Sequence, residues 1–208
     1  MAQALSLRAA LVVLCKDVHN HGVSETDLVN LAEAINRAWI ESKDEQTTLE
    51  LKDNRDLQRA LSAVFPEHDF SNRQLNPLNK IIPGFETLWR IVLMTFLEVG
   101  FKAGRQHPEW REALVAFAKI PGKVQFETAE PVSVQFLVNE ALRLHPPTKR
   151  IYRAYKATAL DEHTRITSAN IEACHTAPAT WGPTAMTFDP LRWTHSTQEQ
   201  NWLLGLES

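Results

Sequence analysis

The chain has 208 residues, 44% of them hydrophobic, enough for one large domain or two small ones around a sizeable core. A formal charge of −3, with no basic stripe interleaved with aromatics, argues against a nucleic-acid-binding protein. Two cysteines, Cys15 and Cys174, lie far apart and outside any CxxC spacing, which excludes a cysteine zinc cluster and a disulfide framework, fits a reducing compartment and predicts two buried thiols.

From the start, Ala9 to Cys15 is apolar behind Arg8, but Lys16 and Asp17 close the run far short of a membrane-spanning length, and no small-residue cleavage site follows. No membrane anchor is expected in the chain. HNH at 19–21 matches a nuclease motif in its letters alone, and none of the eight histidines falls in HExxH or another paired ligand spacing, so they are expected at the surface or at helix caps. Ser24 with Asp27 three residues on reads as a capping box, and Leu28, Leu31, Ile35 and Trp39 then recur at helical spacing, predicting a helix over about 24–43. A polar stretch, KDEQTTLELKDN, separates it from a shorter helix carrying Leu57, Ala60, Leu61, Val64 and Phe65, which Pro66 ends.

The longest apolar segment follows, IIPGFETLWRIVLMTFLEVGF, within a helix expected over about 76–102. Glu86, Arg90 and Glu98 make it a core helix rather than a transmembrane one. Pro83 and Gly84 predict a weak point in that helix, where a missing donor and a flexible residue open the backbone ladder beside Glu86 and Thr87. A carboxylate and a hydroxyl beside a locally opened helix can hold water and relay protons; the alternative is a kink with a solvated carboxylate. Pro108 opens a helix through Ala118, and PGK at 121–123 turns the chain toward a helix over about 131–145.

That last helix contains Glu140 and Arg143 at i and i+3, on one face, with apolar neighbours Phe136, Leu137, Val138, Leu142 and Leu144. Exposed pairs of this kind are worth about 0–1 kcal/mol, whereas a buried one is costly to break. After Pro147 the pattern changes to short β-prone stretches such as RIYRAYKAT, a small β element near 150–170, then to turn-rich sequence. There is no internal repeat, no low-complexity tract, and no GxSxG, Walker or GxGxxG motif.

Taken together, four segments resemble one family. EALRLHPP at 140–147 is similar to the ExxR helix of the haem-thiolate monooxygenases, the cytochromes P-450. HTAPATWG at 175–182 resembles their HxDPxxWG segment, FDPLRW at 188–193 their FxPER(F/W) segment, and IIPGFETLWR their central helix with its acid–alcohol motif. Pro83 replaces the usual small residue and Leu191 the usual Glu, while Arg192 is kept. The resemblance covers roughly residues 24–193, best from 76 onward, and is to the central-to-meander part of a fungal-type member.

This resemblance implies a mainly α fold, one incomplete cytochrome P-450 domain over 1–208 with a small β element and an irregular meander over about 175–193. Glu140, Arg143 and Arg192 would form a structural ion-pair triad joining helix to meander. Glu86 and Thr87 would be the proton-relay pair, and Arg153, in RIYRAYK, would meet a haem propionate, with a plain strand-edge arginine as the alternative. The implied activity is haem-dependent monooxygenation of a small organic substrate, with dioxygen and electrons from a reductase. Intact relatives sit on the cytoplasmic face of the endoplasmic reticulum; a chain with no anchor would be cytoplasmic.

The family's iron is held by a cysteine thiolate in an FxxGxxxCxG loop after the meander. The residues after Trp193, THSTQEQNWLLGLES, hold no cysteine, and Trp202 to Gly205 match at most its aromatic-x-x-G start. The chain is therefore expected to be truncated before the ligand loop and lost or impaired as an enzyme. Two other readings stay open: a haem-free interaction or scaffold protein on the same helical core, and a haem protein using another ligand.

Overall fold

The structure, a computed structural model, describes residues 2–15, 22–42, 53–68, 70, 72, 74–128, 130–155, 165–198 and 200. The chain is mainly helical with one small antiparallel sheet. It separates into two compact units, residues 1–90 and 91–208.

In the first unit, α1 (Ala2–Leu14), α2 (Glu25–Glu41), α3 (Arg55–Val64) and the start of α4 (Leu78–Phe101) share one apolar core. The Ser24 hydroxyl accepts from the Asp27 backbone N–H at 3.1 Å and donates to its carboxylate at 2.6 Å, fixing the start of α2 as the sequence predicts. Leu28, Leu31 and Ile35 are buried on its inner face, while Trp39, on the same stripe near the helix end, is exposed. In α3, Leu57, Ala60, Leu61 and Val64 are buried, and the Asn54 side chain accepts from the Leu57 N–H at 3.0 Å to cap it. Helix α1 extends well beyond the short apolar run read from the sequence. Ala-rich and Leu-rich residues of high helix propensity precede that run, and Leu7, Ala10 and Leu11 are buried while Val12 and Val13 face out.

The opening expected at Pro83 and Gly84 is not found. Segment α4 is helical without interruption, with Pro83 inside it. A proline removes one ladder donor, yet the helix runs on through it, and the start of α4 is held by the buried Asn76 side chain, which accepts from the Leu78 N–H at 3.0 Å. Gly84 serves packing instead: a Cβ there would meet the Leu14 side chain at 3.0 Å, so glycine lets α1 and α4 approach closely.

In the second unit, α4 ends in a 3-10 turn, Ala103–Gln106. A Cβ on Gly104 would collide with the backbone of Val99. Pro108 occupies the first turn of α5 (Pro108–Lys119), and His107 stacks on Trp110 at 4.2 Å. After the turn at PGK, a short α6 (Lys123–Glu127) precedes α7 (Val134–Leu144). The Ser133 hydroxyl caps α7 by accepting from the Phe136 N–H at 3.1 Å. Val99, Trp110, Val132, Leu137, Ala141 and Phe188 form the core around it.

Strands β1 (Arg150–Tyr155) and β2 (Arg165–Asn170) pair antiparallel, Arg150 with Asn170 through Tyr155 with Arg165. The expected irregular meander consists of short helical pieces: α8 (Ile171–Thr176), α9 (Pro178–Trp181) and a 3-10 turn, Pro190–His195. Gly182, at φ +76°, ends α9 in a left-handed conformation that a side chain would strain, and its N–H donates to the Pro178 carbonyl at 2.9 Å. The Asp189 side chain accepts from the Leu191 N–H at 3.1 Å and opens the last turn.

Two expectations are corrected. Cys15 is buried, but Cys174 is exposed on α8, because that helix is only six residues long and turns inward the face carrying His175. His175 is accordingly buried rather than at the surface. HNH at 19–21 and Trp202 to Gly205 lie outside the described residues. No described helix is long and apolar enough to cross a membrane.

Candidate functional site

Helix α7 places Glu140 and Arg143 one turn apart on the face turned into the second unit, and neither side chain has any exposed surface. The Arg143 Nε and Nη2 donate to the two Glu140 oxygens at 2.9 and 2.8 Å, a bidentate fork. Its remaining N–H groups go to backbone carbonyls: Nη1 to His175 at 2.8 Å and to Ala185 at 2.6 Å, Nη2 to Thr187 at 3.3 Å. Every donor of the guanidinium is therefore used. The Trp181 ring covers it, with the guanidinium carbon 5.0 Å from the ring centre.

Glu140 collects donors from far along the chain. Besides the Arg143 fork, its Oε1 accepts from the Asp189 backbone N–H at 3.0 Å and from Arg192 Nε at 2.9 Å, and its Oε2 from the Trp193 indole N–H at 3.1 Å. Arg192 spends its other donors on the carbonyls of Trp181 at 3.3 Å, Thr184 at 3.0 Å and Thr187 at 3.2 Å. Trp181 in turn donates its indole N–H to the Cys174 carbonyl at 3.0 Å and meets Trp193 edge to face at 5.7 Å.

One carboxylate and two guanidinium groups leave a surplus positive charge in the interior. Carbonyl oxygens surround it, which is how a buried excess charge is tolerated without a second carboxylate. The structure thus brings Glu140, Arg143 and Arg192 together, with Arg192 52 residues along from Glu140. Sequence reading missed Trp193 as a donor to Glu140 and Trp181 as the lid on Arg143, although both are in the quoted motifs. The receiving carbonyls of His175, Ala185 and Thr187 carry no residue-type signal at all, since any residue has a carbonyl.

A second buried carboxylate secures the C-terminal end of α7. Glu98, on α4, accepts from His145 Nε2 at 2.9 Å and from Lys102 Nζ at 2.8 Å. His145 directly follows α7, and Glu98 is almost fully buried, so the pair fixes that end to the last turns of α4.

The other predicted site residues lie elsewhere. Glu86 is buried and accepts from Arg90 Nη2 at 3.1 Å through Oε2, while its Oε1 has no hydrogen-bond partner. The Thr87 hydroxyl donates back to the Pro83 carbonyl at 3.0 Å, so it is held by the helix itself. Arg153 is exposed on β1 and forms no ion pair among the described residues. Its carbonyl accepts from the Thr167 hydroxyl at 3.5 Å.

No protein-family model, no curated protein and no solved structure matches the chain. A carboxylate with no exposed surface and five N–H donors cannot reach a substrate or exchange a proton with one. It holds α7 against the segment 175–193. Among the described residues no group of three or more His, Cys, Asp or Glu side chains is placed to bind a metal ion.

Proposed function

We propose that the chain is a cytochrome P-450-like protein whose fold is an incomplete version of that family's, organised by the Glu140–Arg143–Arg192 centre. One observation carries this reading: Glu140 receives Arg143 from its own helix and Arg192 from the turn-rich segment, and does so inside the three motifs that resemble the family's. The resemblance assigns those residues this structural role. The family activity is haem-dependent monooxygenation of a small organic substrate, using dioxygen and electrons supplied by a reductase.

The thiols of these 208 residues do not fit haem-thiolate ligation. Cys15 is buried among the side chains of the apolar core of α1, α2, α3 and α4 rather than beside an open site. Cys174 is exposed on a short helix, outside any enclosed apolar site of the kind that shields a thiolate–iron bond from water. We therefore derive no haem-borne step for this chain. Monooxygenation by these residues alone is lost or impaired, and Glu86 and Thr87 remain a carboxylate and a hydroxyl engaged with their own helix.

The same misfit favours a second reading, a haem-free interaction or scaffold protein on this helical core. A haem titration of the purified chain, followed by a carbon monoxide difference spectrum of the reduced form, tests both. The expected result is no thiolate-type band. A saturable, strongly red-shifted band abolished by Cys174→Ser would restore an oxygenase and overturn the loss of activity. A saturable band of the histidine type would contradict the haem-free reading.

A further inference from the structure

The hairpin of β1 and β2 buries none of its own residues. Each strand has six, and all are exposed, including Ile151, Tyr152, Tyr155 and Ile166. An isolated two-stranded hairpin is marginal in water and is normally completed by another strand or a packed element. Among the described residues each strand pairs with the other along one edge and has no strand on its opposite edge, a row of backbone donors and acceptors.

The charge of the two strands is one-sided. They contain Arg150, Arg153 and Arg165 and no acidic residue. Lys149, just before β1, is neutralised by Glu172 at 2.7 Å, whereas none of the three arginines pairs with a carboxylate among the described residues. The register places Ile151, Arg153 and Tyr155 on one face with Ala169, Thr167 and Arg165. On that face Arg153 and Arg165 are diagonal neighbours, roughly 7–8 Å apart in a regular ladder, so their like charges reinforce one field.

We propose that this hairpin is a docking edge for an acidic, extended segment of a partner protein. The segment adds as a further strand and sets alternate carboxylates on the face of Arg153 and Arg165, with its intervening apolar side chains on the opposite face, which carries the exposed Tyr152 and Ile166. Two features select this occupant together. The open edge accepts only a peptide backbone, and the unneutralised arginines favour carboxylates, which a guanidinium fork binds in bidentate fashion. A nucleic acid would satisfy the arginines but leave the strand edges unused. Docking here is independent of haem and of the family reading.

Fluorescence anisotropy of a labelled short peptide alternating Glu and Val, titrated with the full chain, tests the proposal. The counterparts are the same peptide with Gln for Glu, the same peptide with alternate backbone nitrogens methylated, and a single-stranded oligonucleotide of equal charge. The expected result is saturable binding of the Glu peptide, weakened about tenfold by the Gln exchange or by the double variant Arg153→Ser/Arg165→Ser, and abolished by methylation. The peptide arms need no altered protein, so a variant that fails to fold does not decide the matter. Absence of saturable binding, equal binding of the methylated peptide, or tighter binding of the oligonucleotide overturns the proposal.

Discussion

Glu140 and Glu86 are both buried carboxylates on helices with an arginine one turn further on, and they differ in almost everything else. Glu140 is fully enclosed and receives Arg143, Arg192, the Trp193 indole and the Asp189 N–H. Among the described residues Glu86 receives Arg90 alone, and that arginine is about one-third exposed. The difference shows that helical spacing creates the pair, but a second segment brought in by the fold makes it indispensable. A buried ion pair is costly to break when its charges have no other compensation, and close to neutral when water reaches one partner.

The sharpest way to break the comparison is to remove one charge from each centre. Arg143→Met removes two of the five donors to the buried Glu140 carboxylate and the arginine partner of the His175 and Ala185 carbonyls, so it should cost about 3–5 kcal/mol, read as a large fall in the urea midpoint. A midpoint equal to that of the surface variant Lys119→Ala would show that the centre is not structural. Arg192→Met, which keeps the Arg143 fork intact, should cost somewhat less, about 2–3 kcal/mol, by the same measurement.

Finer changes sharpen it. Trp193→Phe keeps an aromatic side chain of smaller size and deletes one donor to a charged acceptor, for an expected loss of about 1.5–3 kcal/mol together with any repacking against Trp181. Glu86→Gln should cost at most about 1 kcal/mol, because one of its oxygens already lacks a partner. Smallest of all, Thr87→Val should leave stability within about 0.5 kcal/mol, since it removes only a hydroxyl bonded back to its own helix. A thermal shift for Glu86→Gln as large as that of Arg143→Met would erase the distinction drawn here.

Much of the centre was legible before the structure, and for an identifiable reason. Spacing alone gives only the Glu140–Arg143 pair; Arg192 joins it through the resemblance of FDPLRW and EALRLHPP to motifs of one family. The carbonyls that complete their coordination were not legible, because backbone groups have no sequence signature. Helices α2, α3, α5 and α7 followed from caps and periodicity, whereas α6 was too short to show a period and α1 was obscured by an apolar run shorter than the helix. Pro83 and Gly84 misled in an instructive way. Read locally they weaken a helix, yet Gly84 answers to Leu14, a residue far away in sequence. Cys174 failed for the converse reason, since burial on a short helix is decided by which face turns inward rather than by residue type.

The most direct test of the account is a double-mutant cycle between Glu140 and Arg192, using Glu140→Gln, Arg192→Met and the double variant, with unfolding free energies from urea titration. The account predicts strong non-additivity, a coupling of about 1–3 kcal/mol, because the two side chains compensate each other in the interior. Strictly additive losses would contradict it and leave Arg143, the Trp193 indole and the Asp189 N–H as the polar links between α7 and the 175–193 segment.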